Sequence, residues 1–131
     1  MIVRTQPACV YEVLDRGIHR FVWTAQTPEL VDEYLGHIER IYNTQPYNKR
    51  LRLLIDVRAA IPPIRYGLYR SKQFFSKYPM QPETRAAYIC PSSILITLLD
   101  NSLGMLPPGA ERRFFLDDQE EDALAWLLAG D

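Results

Sequence analysis

"LRLLIDV" (51–57) is a short, nearly continuous apolar run in which only Arg52 and Asp56 are charged. A strand with one wet face would alternate apolar and polar residues. A run without that alternation has the pattern of a central parallel strand covered on both faces. Parallel neighbours cannot be joined by a tight hairpin and need crossover connections, usually helices. The chain on both sides of this run supplies them.

Upstream, "TPELVDEYLGHIERIYNTQP" (27–46) is the clearest helix. Thr27 is placed to be the N-cap, with Pro28 at the first helical position and Glu29 in the first turn, where the helix dipole favours an acid. Leu30, Val31, Tyr34, Leu35, Ile38, Ile41 and Tyr42 recur at i, i+3, i+4 spacing and form one apolar face. Gly36 interrupts the middle of this helix at a cost of roughly 1 kcal/mol against Ala, which points to a close approach to the sheet. Asn43 to Pro46 ends it. Further upstream, "VYEVLDRGIHRFVWTA" (10–25) reads as a β-hairpin whose strands meet at the turn "DRG" (15–17), with Gly17 free to take positive φ.

Downstream, "AAIPP" (59–63) is a loop and "PIRYGLYRSKQFFSKYP" (63–79) a second helix, with an apolar face of Ile64, Leu68, Phe75 and Phe74. "TRAAYIC" (84–90) is the next strand. "SSILITLLDNSLGML" (92–106) is the third helix, capped by Ser92 or Ser93 and followed by Gly104. It is apolar nearly all round, so it is either deeply buried or an interface. "ERRFFLD" (111–117) is the last strand, and "DQEEDALAWLLAG" (118–130) the last helix, where Asp118 and Glu121 have capping-box spacing.

The order ββαβαβαβα predicts an α/β fold: one domain over 1–131, with a mostly parallel five-stranded sheet, one antiparallel edge strand and four helices. No apolar run approaches the ~20 residues of a membrane span. The first residues, "MIVRTQPACVYEVLDRG", lack a signal-peptide core, and Cys9 and Cys90 are too few for a disulfide framework or a structural zinc site. These features suggest a cytoplasmic protein with both thiols reduced.

The hairpin, "LRLLIDVR" and the ending "FFLDDQEEDALAWLLAG" together resemble the SpoIIAA-like domains related to STAS proteins, and more distantly the CRAL-TRIO lipid-transfer domains. The resemblance runs from about Tyr11 to Gly130 and implies a non-catalytic binding or regulatory module. In the anti-sigma antagonists of that group, a serine in the loop after the central strand is the phosphorylation switch. Here that region, "DVRAAIPPIRYGLYR" (56–70), holds neither Ser nor Thr. Neither the phospho-switch nor the anti-sigma partner that depends on it carries over.

Two chemistries remain to be weighed. Cys90 precedes Pro91 and a helix start, where the dipole can favour thiolate; a thiol-dependent enzyme is therefore the alternative function. Against it, no basic residue lies between Ala86 and Leu106 and no second cysteine is near in sequence. His19 and His37 fall on different elements and make no metal site, which needs three or four convergent ligands. No cofactor-binding motif or catalytic residue set is present.

The other chemistry is electrostatic. The net charge is −1, yet Lys49 to Pro82 carries eight basic residues against Asp56 alone, about +7, while Asp117 to Asp131 has six acids and no base. These are either solvated faces that balance each other or a site for an anionic partner. In parallel sheets ligands bind outside the carboxyl ends of the strands, which brings Arg58, Arg65 and the Ser92–Ser93 helix start to one rim. Tyr66 and Tyr69 add aromatic contact area beside Arg65 and Arg70. The expected ligand is a protein partner or a small anionic or lipid-like molecule, with no specific nucleic-acid signal. A carrier of an apolar ligand around Ile94, Leu95, Leu98 and Leu99 is a further alternative, and self-association into a homo-oligomer is compatible with all of these.

Overall fold

The hairpin forms, and its turn accounts for the glycine. β1 (Cys9–Val13) and β2 (Ile18–Trp23) are joined by a 3-10 turn at Asp15–Gly17 in which Arg16 and Gly17 have φ of 65° and 75°. Glycine takes the second of these left-handed positions without steric cost. The computed structural model describes residues 7–45, 49–103 and 109–130. The remaining elements are α1 (Pro28–Thr44), β3 (Leu51–Asp56), α2 (Ile64–Ser76), β4 (Thr84–Cys90), α3 (Ser93–Ser102), β5 (Ala110–Leu116) and α4 (Glu120–Leu128).

The five strands are ordered β1-β2-β3-β4-β5, with β1 antiparallel to β2 and every other pair parallel. Leu51, Leu53, Ile55 and Val57 of the opening run pack on one face of the sheet with the apolar stripe of α1, Phe74 of α2 and Leu99 of α3. Leu54 points the other way, into a smaller core with Ile18, Ala87, Ile89, Phe115 and the α4 residues Ala123 and Leu127. Three crossover helices thus share one face, and among the described elements α4 alone covers the other. The strand order advances one step at each crossover on the same face, so all three crossovers have the same hand.

The polar members of β3 meet the ends of α4. Arg52 Nε donates to the Leu127 carbonyl at 2.8 Å. From β4, Arg85 Nη1 donates to the carbonyls of Trp126 (2.9 Å) and Ala129 (2.7 Å), and its guanidinium lies 5.5 Å from the Trp126 ring centre. Cations therefore satisfy carbonyls that the last turn of a helix leaves unpaired, at the negative end of its dipole. Much of the basic excess counted in the sequence is committed in this way or to ion pairs: Arg50 to Glu83, Arg58 to three carboxylates and Arg70 to Asp32.

Several local expectations change. Thr27 holds the N-cap position of α1, but its side chain makes no capping hydrogen bond. Among the described residues, a Cβ placed on Gly36 would find its nearest neighbour in Arg40 Nη1 at 3.9 Å, so no close approach to the described strands requires that glycine. Leu68 is 41% exposed rather than part of the α2 apolar face, while Tyr66 is half-buried against the core. α3 is not deeply buried. Leu99 is covered, but Ile94 is 81% and Leu98 47% exposed, because the helix lies on the sheet by one side and none of the described elements packs over the other. Asp118 does not cap α4. Gln119 occupies that place, and its Oε1 accepts from the Leu116 N–H at 2.8 Å, tying the end of β5 to the helix start. Pro46 and Gly104, expected to end α1 and α3, lie outside the described residues.

Candidate functional site

Asp56 ends β3 and is 6% exposed. Its carboxylate accepts from Arg58 three times: Nε to Oδ1 at 3.0 Å, Nη2 to Oδ2 at 2.7 Å, and the backbone N–H to Oδ1 at 3.0 Å. Arg20 Nη2 lies 3.6 Å from Oδ2. Burial pushes the Asp56 pKa up, but the Arg58 hydrogen bonds, with the charges of Arg58 and Arg20, outweigh it and hold the pKa below the ordinary value. The same guanidinium reaches Glu120 Oε1 at 3.0 Å and Asp117 Oδ1 at 3.3 Å. Arg58 therefore locks the end of β3 to the start of α4 and is not an uncommitted cation on the rim.

The other residues proposed from the sequence separate into two groups. On α2, Tyr66 Oη donates to both Asp32 oxygens (2.8 and 3.1 Å) and Arg70 Nε donates to Oδ1 at 3.1 Å, so both side chains fasten α2 to α1. The hydrogen bond to Asp32 raises the Tyr66 pKa. Arg65 and Tyr69 stay outside, with Tyr69 60% exposed and its hydroxyl accepting from Gln73 Nε2 at 2.9 Å. At the end of β4, Ser92 Oγ accepts from the Leu95 N–H at 3.2 Å as the N-cap of α3. Ser93 is the exposed first residue of that helix, and its carbonyl accepts from Thr97 Oγ1. Asp56–Arg58, the start of α2 and Ser92–Ser93 all follow carboxyl ends of strands, but Arg58 is drawn toward α4 and away from Tyr66 and Tyr69.

Cys90 is fully buried, and burial, aided by the nearby Asp56 charge, raises its pKa to about 11. Cys9 is likewise buried, with its pKa raised to about 12 by burial and by Glu33. Neither thiol is poised as a thiolate at neutral pH. The Ile94–Leu99 segment that an apolar carrier would use is split between a covered Leu99 and outward-facing Ile94 and Leu98.

A solved structure shares this arrangement over nearly the whole chain. It is an uncharacterized protein of the DUF3478 family from Shewanella loihica PV-4, described as having a SpoIIAA-like fold. It aligns with a TM-score of 0.65 and 18% identity, over 97% of this chain and 99% of that one. The fold is SpoIIAA-like. No protein-family model matches the chain, and no curated protein does.

This SpoIIAA-like domain also has a concave feature that the sequence did not reveal, a groove of about 620 Å³ between β1 and α1. Glu33 and His37, one helical turn apart, reach across it to the edge strand. Glu33 Oε1 accepts from the Cys9 N–H at 3.0 Å, and His37 lines the groove beside it. They cover part of an edge that would otherwise present bare backbone groups. His37 also stacks on Tyr11, with ring centres 4.8 Å apart, and Arg40 Nη2 bonds to His37 Nδ1 at 2.5 Å. On its other side Tyr11 meets His19, with Oη 2.8 Å from Nδ1. Burial lowers the pKa of both histidines, and the Arg40 charge adds to the effect on His37. The sequence signal was Gly36 in the middle of the helix, flanked by Glu33, His37 and Arg40 at i−3, i+1 and i+4.

Proposed function

We propose that this domain is a non-catalytic binding module that holds an acidic protein partner on the outward face of α2. The observation that carries the reading is the composition of that face. Leu68 and Tyr69 are exposed beside exposed Arg65 and Lys72, and α2 contains no acid. Aromatic and arginine side chains mixed with apolar ones are typical of contact surfaces. Tyr66 and Arg70, anchored on Asp32, hold the helix that presents them. Arg58 braces the end of β3 against α4, and Ser92 caps α3, whose first residue Ser93 is exposed.

The test is a photocrosslinking amino acid at position 69 in the protein's own cells, with position 12 on β1 as a control. One major adduct at position 69, lost in Arg65→Glu/Lys72→Glu and weakened by salt, is the expected result. Equal labelling at both positions, or an adduct indifferent to the charge reversal, would overturn the reading.

A second reading, self-association, is favoured by one observation. Ile94 and Leu98 stand one turn apart on α3 and both are exposed. Large exposed apolar side chains in one place mark contact surfaces more often than scattered ones do.

A further inference from the structure

The β1–α1 groove has the features of a built site and does not belong to the α2 surface. Its floor is Gly36, a residue type disfavoured inside helices, yet among the described residues a side-chain carbon there would meet no closer atom than Arg40 Nη1 at 3.9 Å. Packing therefore gives no reason for glycine, whereas an occupant lying on the helix backbone would. The carboxylates in the wall already accept hydrogen bonds. Glu33 is engaged by the Cys9 N–H, and Asp32 by Tyr66 and Arg70. Arg40 differs. Its guanidinium leans over Gly36 and hydrogen-bonds a ring nitrogen of His37, a weaker partner than a carboxylate. Beside it, the rings of Tyr11 and His37, stacked on each other with centres 4.8 Å apart, add aromatic surface to the wall.

We propose that this groove binds a small organic carboxylate, with its anionic end on Arg40 and a flat apolar body over Gly36 against the Tyr11–His37 wall. The guanidinium fork matches a carboxylate in two parallel hydrogen bonds. It would exchange the His37 nitrogen for that stronger acceptor. A single negative charge fits better than a doubly charged phosphate, because Asp32 and Glu33 stand in the same wall. The flat body is selected by edge-to-face contact with these rings and by the open floor.

The experiment is an NMR titration of the full chain with benzoate as the probe, and with acetate and inorganic phosphate as comparisons. Saturable shifts at the Gly36 amide and at the His37 and Tyr11 rings are expected with benzoate, with affinity at least about tenfold above acetate. Arg40→Gln should weaken benzoate by about tenfold or more. Gly36→Leu, which fills the floor, should abolish its binding. Neither position belongs to the buried stripe of α1, and retained dispersion of the amide spectrum shows that each variant is folded. Gly36→Ala serves as the milder version should Gly36→Leu not fold. Absence of saturation with benzoate, or binding unaffected by Arg40→Gln, would overturn the proposal. Phosphate binding as tight as benzoate would refute the apolar-body part and reduce the site to a surface charge.

Discussion

Replacing Arg58 by Ala tests whether this arginine is a surface charge or a structural lock. The guanidinium makes two short charge-assisted hydrogen bonds to Asp56, a carboxylate that is 6% exposed. Hydrogen bonds to charged groups contribute about 1.5–3 kcal/mol when made in the interior. The Arg58 side chain is 31% exposed, so the lower end applies, and its contacts to the more open Asp117 and Glu120 add at most about 1 kcal/mol. After truncation Asp56 keeps the backbone N–H of residue 58 and the Arg20 charge at 3.6 Å, which limits the damage. The expected loss is about 2 kcal/mol, and Arg58→Glu, which sets a fourth carboxylate beside three, should lose more. Urea denaturation at pH 7 reads this as a drop in midpoint of about 1 M with unchanged slope. The pH dependence gives a second handle. Asp56 has its folded pKa held below its unfolded value, so the unfolded state takes up the proton first as pH falls. The stabilisation is complete above the ordinary aspartate value of about 4 and disappears as pH drops through the folded pKa. Wild type and Arg58→Ala should therefore converge in acid. A variant within about 0.5 kcal/mol of wild type at pH 7, or a difference that does not shrink as the pH falls below the ordinary aspartate value, would refute the reasoning.

Three further outcomes follow from the same geometry. Gly36→Ala should raise stability by about 0.5–1 kcal/mol, since the new methyl meets only the flexible end of Arg40, and a lower melting temperature would reveal a packing need for glycine. The histidines flanking Tyr11 have folded pKa values below the ordinary ~6.5, so the unfolded chain binds their protons first. Stability should fall as pH drops from about 6.5 toward the folded values and level off beneath them, and His19→Gln/His37→Gln should flatten that slope in urea titrations run across the range. Cys90 should alkylate more slowly in the folded protein than a free peptide thiol, and Cys90→Ser should cost about 1–3 kcal/mol by burying a hydroxyl; fast modification at pH 7 would reopen the thiol-enzyme reading.

The elements were legible in the sequence because each rests on local chemistry. The apolar run at 51–57 is a central strand because both its faces are covered, and the α1 stripe follows from a 3.6-residue period. Thr84–Cys90 has the bounds expected of it, and Ser92 caps α3 through its own Oγ. Where side chains chose between local and distant partners, local reading stopped short. Asp118 has capping-box spacing, yet Gln119 takes the position by reaching back to β5.

Sequence alone determined the order of strands and helices, the hairpin turn with its glycine, and the lack of a phospho-acceptor in the loop after β3. Tertiary structure decided how the charges are spent and where the concave surfaces lie. Arg58 finds Asp117 and Glu120, and Arg52 and Arg85 find the last carbonyls of α4, because folding the sheet lays that helix across β3 and β4. α3 carries a core-like composition but shows Ile94 to solvent, since burial depends on what packs over a helix as well as on its own residues. The groove joins Cys9 and Tyr11 to Glu33, His37 and Arg40 by setting α1 beside the sheet edge. Periodicity reports which side of an element is apolar. Which elements become neighbours is set by the pairing of strands and the faces their crossovers take, and those are properties of the whole chain.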